Sequence, residues 1–157
     1  MIYAVAFSSP KRSARTVELA VQQAQSSGAE IVLLRIIPDP QKVGVIAQLI
    51  SSDRPQDKAQ EQINNCVEEL KARGIKASGI VKVGEVAKGI VDTALELKAE
   101  MLFVGTTNIG GGKFYLMKKD LIVHYLVDHC PITLCLVRHD STTEAVVEAA
   151  EEAELSE

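Results

Sequence analysis

Five short stretches of the chain are almost wholly apolar and rich in β-branched residues: IYAVAF at 2–7, IVLLRII at 31–37, SGIVKV at 78–83, MLFV at 101–104 and ITLCLV at 132–137. Apolar runs without polar alternation are what strands look like when both faces of their sheet are covered, so they predict five strands of a parallel sheet. Between them, apolar residues recur at helical spacing. Ala14, Val17, Val21 and Ala24 share one face, ended by Gly28, and Ala59, Ile63, Cys66, Val67 and Leu70 share another, ended by Gly74. Val86, Ile90, Ala94 and Leu97 mark a third helix; Leu121, Ile122, Tyr125 and Leu126 mark a fourth.

The strict alternation predicts an α/β fold: a single open five-stranded parallel sheet with helices on both faces, Rossmann-like, joined by right-handed crossovers. Two stretches fall outside the simple unit. Residues 38–55 are too long for a turn, which leaves an irregular excursion or a short helix over 43–50. Residues 139–157 form an acidic tail that opens on a capping-box pattern, Ser141 and Glu144; a short helix and a disordered segment both remain open for it.

Composition narrows the class. A chain of 157 residues is one ordinary domain, here 1–138 plus the tail, and such a chain buries roughly 70% of its unfolded surface. No apolar run approaches the roughly 18–20 residues that cross a bilayer, and no basic, then apolar leader opens the chain, so a cytoplasmic protein without membrane insertion is expected. The net charge of −4 is set by the tail. Seven of the 21 acidic residues lie there, leaving 14 against 17 basic residues in the body, and no basic stripe suggests nucleic acid. Cys66, Cys130 and Cys135 are odd in number and sit in apolar patterns, so they are expected as core residues with no metal role.

Sites in open α/β sheets lie at the carboxyl ends of strands where strand order reverses. The first strand ends in FSSPKRS (7–13) and the fourth in GTTNIGGGK (105–113), the two most serine- or glycine-rich strand ends. Neither is a standard phosphate loop. A Walker loop needs glycine where Thr107 stands and a hydroxyl where Phe114 stands, and no glycine trio has dinucleotide spacing. Gly110, Gly111 and Gly112 read first as a flexible connection. His124 and His129, five apart, fall on different helix faces and make no shared metal site, and Ser8 and Ser9 have no general base near them in sequence, so no catalytic residue is assigned.

The segment GIKASGIVKVGEVAKGIVDTALELKAEMLFVGT and the ending VHYLVDHCPITLCLVR resemble the universal stress protein family, as does the five-strand layout over residues 1–138. In the later part, Gly105, the turn Asp128-His129-Cys130-Pro131 and the last strand fill the family's places, and Val83-Gly84-Glu85 is similar to its turn before the third helix. That resemblance implies a nucleotide site at the Gly105 loop, drawing on Phe7, Ser8, Ile37, Gly105, Thr106, Asn108, Lys118 and Lys119. Members that bind ATP carry Gly-x2-Gly-x9-Gly-[Ser/Thr] there and an Asp at the end of the first strand. Here Gly105 matches, whereas Asn108, Lys118 and Lys119 replace the second glycine, the third glycine and the hydroxyl, and the Asp falls on or beside Phe7.

Lost backbone freedom, a lost hydroxyl and a lost carboxylate together weaken ATP by a factor on the order of 10² to 10⁴. Lys113, Lys118 and Lys119 still attract an anion. The resemblance therefore implies a non-enzymatic stress-response regulator that acts by dimerisation and contacts with an unknown protein partner, without tight ATP or ADP binding. A homodimer is expected through the last strand, from Ile132 to Val137, an apolar sheet edge with one neighbour. Two alternatives stay open: an ATP or ADP sensor or weak ATPase that uses Lys118 and Lys119, and an accessory module of a transporter or kinase that docks through the tail.

Overall fold

Each apolar run becomes a strand because helices cover it on both sides. The computed structural model describes residues 1–39, 55–107 and 120–139. Its elements are β1 (Ile2–Ala6), α1 (Pro10–Ser27), β2 (Glu30–Ile37), α2 (Pro55–Ala72), β3 (Ala77–Val83), α3 (Val86–Glu96), β4 (Met101–Thr107), α4 (Asp120–His129) and β5 (Thr133–His139). The helix expected over 43–50, the glycines at 110–112 and the tail lie outside the described residues.

The sheet runs β3-β2-β1-β4-β5, and every pair is parallel. Alternate residues feed two core layers. Tyr3, Val5, Ile31, Leu33 and Phe103 pack with Val17, Val21, Ile63 and Leu70 of α1 and α2. On the other face Ala4, Val32, Leu34, Ile36 and Leu102 pack with Ile90 and Ala94 of α3 and Leu126 of α4. Each fully buried aliphatic side chain contributes about 1.5–3 kcal/mol, so the layers rather than helix propensity hold the helices in place.

Local signals set the helix ends. Ser9 caps α1, its hydroxyl accepting the Arg12 N–H at 3.2 Å, and Pro10 follows at the first turn. Gly28 stops the helix with φ +75°, which lets its N–H reach the Ala24 carbonyl at 2.8 Å. An exposed pair, Arg73 with Glu18 at 2.9 and 3.0 Å, ties the end of α2 to α1, and its hydrogen bonds hold the Glu18 carboxyl below its ordinary range.

Three expected details differ. Ala14 is exposed, and Ser13 and Thr16 take the buried positions, because the start of α1 faces the polar turn after β1. Leu121 is 65% exposed, so Leu126 is the fully buried anchor of α4. The strand β4 continues past Val104 to Thr107, because β5 supplies a partner all the way: Gly105 aligns with Val137, Thr106 with Arg138 and Thr107 with His139.

Gly79 in β3 permits the close approach of α2. A Cβ there falls 2.1 Å from Ile63 Cγ2, inside a side chain with no exposed surface. Gly79→Ala is expected to lower unfolding free energy by about 1–3 kcal/mol in urea denaturation, because a packed core resists an added methyl.

Candidate functional site

Strand order reverses at β1. From there the chain crosses through α1 to β2 on one side, whereas β4 crosses through α4 to β5 on the other. The helices that follow β1 and β4, α1 and α4, therefore lie on opposite faces, the arrangement that sets a crevice at the carboxyl end of an open sheet. The register fixes what lines it. Val5 aligns with Phe103 and Ala6 with Leu34, so one or two further steps place Arg35, Phe7 and Gly105 level with one another, with Val81 beyond Arg35 and Val137 beyond Gly105.

The residues expected at the site divide accordingly. Phe7 is in the core at 4% exposure, on the face covered by α1 and α2, and its N–H extends the ladder to the Leu34 carbonyl at 2.8 Å. Ser8 is exposed; its N–H donates to Ser13 Oγ at 2.8 Å, and the two hydroxyls lie 3.3 Å apart. Ile37 is buried, and its carbonyl accepts the Gly84 N–H at 2.9 Å. Gly105 and the buried Thr106 lie within β4. The register thus brings Phe7, Ser8, Gly105 and Thr106 to one crevice, with Ile37 at the end of the neighbouring strand. Asn108, Lys113, Lys118 and Lys119 lie outside the described residues. The Ser8 hydroxyl lies against another hydroxyl, Ser13, which is no general base.

Arg35 was given no role on sequence grounds, although it is the one charge in the run 31–37. It shares its sheet face with Phe7, and its Nη1 donates to the Ser8 carbonyl, latching the turn that leads into α1. Its Nε is shut from solvent without a hydrogen-bond partner, an arrangement that typically costs about 1–3 kcal/mol. Burial pushes the Arg35 pKa down, and the charge of nearby Arg12 pushes it the same way. The signal that could have found it is the charge itself, standing in a strand whose neighbours on both sides in sequence are buried.

The first two turns of α1 carry basic residues. Lys11 and Arg12 stand in the first turn of α1, Arg15 in the next, and no acid occupies that first turn. Cations at the positive end of a helix dipole oppose it by roughly 0.3–1 kcal/mol each. The cysteines are half-buried and free, and burial, then Glu69, raises the Cys66 pKa. His129 stacks near Tyr125, with ring centres 4.4 Å apart.

A family model described as the universal stress protein family matches residues 2–138. No curated protein matches the chain in sequence. Among solved structures, a universal stress protein from Archaeoglobus fulgidus in complex with dAMP is 18% identical at a TM-score of 0.63, with 87% of this chain and 97% of that one covered. One from Arabidopsis thaliana with AMP bound is 14% identical at 0.65, covering 92% and 98%. A second Archaeoglobus fulgidus structure is 18% identical at 0.65; the chain covers 44% of it, with 88% of this chain covered. At such identities the likeness shows the fold alone.

Phe7 fills core volume on or beside the place where the family resemblance puts an Asp. Phe7→Ala is expected to cost about 3–5 kcal/mol in chemical denaturation. Phe7→Asp is expected to cost at least as much, because it buries a carboxylate as well as leaving a cavity.

Proposed function

Since this chain belongs to the universal stress protein family, we propose that it is a non-catalytic cytoplasmic regulator that works as a homodimer paired through β5 and takes nucleotides only weakly. The observation that carries this reading is the contrast between the two edges of the sheet. At one edge, Lys82 of β3 pairs with Glu96 of α3 at 2.8 Å, and charge on an edge strand discourages pairing with another chain. At the other, β5 has β4 as its single neighbour; residues 133–137 carry no charge, and the strand's exposed cation, Arg138, comes only after them. Leu136 there is 41% exposed. A second copy related by a twofold axis offers the same strand running antiparallel, so one apolar edge covers the other.

The crevice supports weak rather than tight nucleotide binding. Relatives of the same fold hold AMP and dAMP, and this crevice keeps Ser8, Ile37, Gly105 and Thr106 at or beside it. Phe7 supplies no carboxylate. Asn108, Lys118 and Lys119, where the family's ATP pattern has glycines and a hydroxyl, complete the proposed set. Among the described residues no helix is long and apolar enough to cross a membrane. The partner is an unidentified protein, and the tail beyond residue 138, where the family match stops, is a candidate docking segment.

Sedimentation equilibrium should show a dimer, and Leu136→Lys should convert it to a folded monomer; a dimer unchanged by that charge removes β5 as the interface. In calorimetric titration AMP and ATP should bind with Kd weaker than about 100 μM, the scale left after losing at least two decades from a micromolar site. A micromolar Kd for either overturns the weak-binding part.

A further inference from the structure

We propose that the acidic tail docks as a helix, over residues 142–154, on an apolar strip beside β5 and competes there with a second copy of the chain. The strip follows from the packing. Leu134 and Leu136 alternate along β5, so both point to the face covered by α3 and α4, where Leu134 joins the core layer and Leu136 stays 41% exposed. On α4, Ile122, Tyr125 and Leu126 pack with that layer, whereas Val123 and Val127 join neither core cluster. Because α3 lies over β2 and β3 and α4 over β4, the flank of α4 that carries Val123 and Val127, turned away from α3, is the one on the β5 side. Val127 is 59% exposed there.

The tail fits this strip in pattern, reach and charge. On a helical wheel Val146, Ala149, Ala150 and Ala153 fall on one face, and Glu144, Glu148, Glu151 and Glu152 on the opposite one. A helix of that pattern needs an apolar surface to cover. Residue 140 follows directly on β5, so Ser141, which opens the capping box, needs only a short connection to start a helix back along the strand. Residues 142–154 in helical form span about 20 Å, and the seven residues of β5 span about 23 Å, so the two match in length. Arg138 is exposed on the same side of β5 as Leu136 and offers the acidic helix a cation where the tail departs.

The consequence for assembly rests on the homodimer reading. A twofold axis that pairs β5 antiparallel with its copy keeps the same sheet face upward in both, and so sets the outer flank of each α4 towards the other. Tail and second copy then need the same residues, Leu136 and Val127. Covering an open edge with a helix is one way that proteins keep it from pairing.

The test is methyl NMR and sedimentation of the full chain, wild type against the double variant Val146→Asn with Ala150→Asn, which takes apolar surface from the tail without adding charge. At concentrations where the chain is monomeric, the wild type is expected to show NOEs from the Val127 and Leu136 methyls to those of Val146 and Ala150, and the variant to lose the contacts between the tail and the strip. The variant is also expected to dimerise at least about tenfold more tightly, because each copy must release its tail and the two penalties multiply. Random-coil shifts at 142–154 in the wild type, or NOEs accompanied by an equal dimer constant in the two chains, overturn the proposal. NOEs in a chain that stays monomeric with either tail leave the tail contact standing and reject the homodimer; a dimer of equal strength in both chains without those NOEs does the reverse.

Discussion

A parallel sheet must hide both faces, and almost everything in this molecule follows from how that is done. With β1 and β2 apolar on both sides, α1 and α2 have to lie on one face and α3 and α4 on the other. Right-handed crossovers then leave β1 as the strand where direction reverses. The crevice between the ends of β1 and β4 is a by-product of that packing rather than a feature added to it. Its lining is set by register, because the same hydrogen-bond ladder that pairs Ala6 with Leu34 brings Arg35, Phe7 and Gly105 into one row.

That row explains why the crevice is chemically mixed. The core claims Phe7, since the side chain that would face a ligand instead completes the layer against α1 and α2. One strand over, on the same face, Arg35 cannot be absorbed in that way, because a guanidinium resists leaving water. It spends one donor on the turn after β1, and its Nε is shut from solvent without a hydrogen-bond partner. Apolar and cationic demands meet within one strand spacing of each other.

The two sheet edges show how one topology offers different surfaces. Lys82 of β3 pairs with Glu96 at one edge, whereas β5 at the other carries the exposed Leu136 ahead of Arg138. Membership in the universal stress protein family accounts for the scaffold; the chemistry at its edges and crevice belongs to this chain.

Much of the fold was legible in the residues themselves. Apolar runs and helical spacing depend on local burial, which leaves a direct trace in sequence, so the five strands, the four helices flanking them and stops such as Gly28 could be read without coordinates. The resemblance through Gly105 and the turn before the last strand likewise pointed to the right family. What sequence could not supply was anything that depends on alignment between strands far apart in the chain. Gly105 and Thr106 belong to a strand because β5 pairs with them, and Arg35 stands beside Phe7 because β2 lies next to β1. Register is a long-range property, set by the packing of whole faces against helices, and only the folded chain decides it.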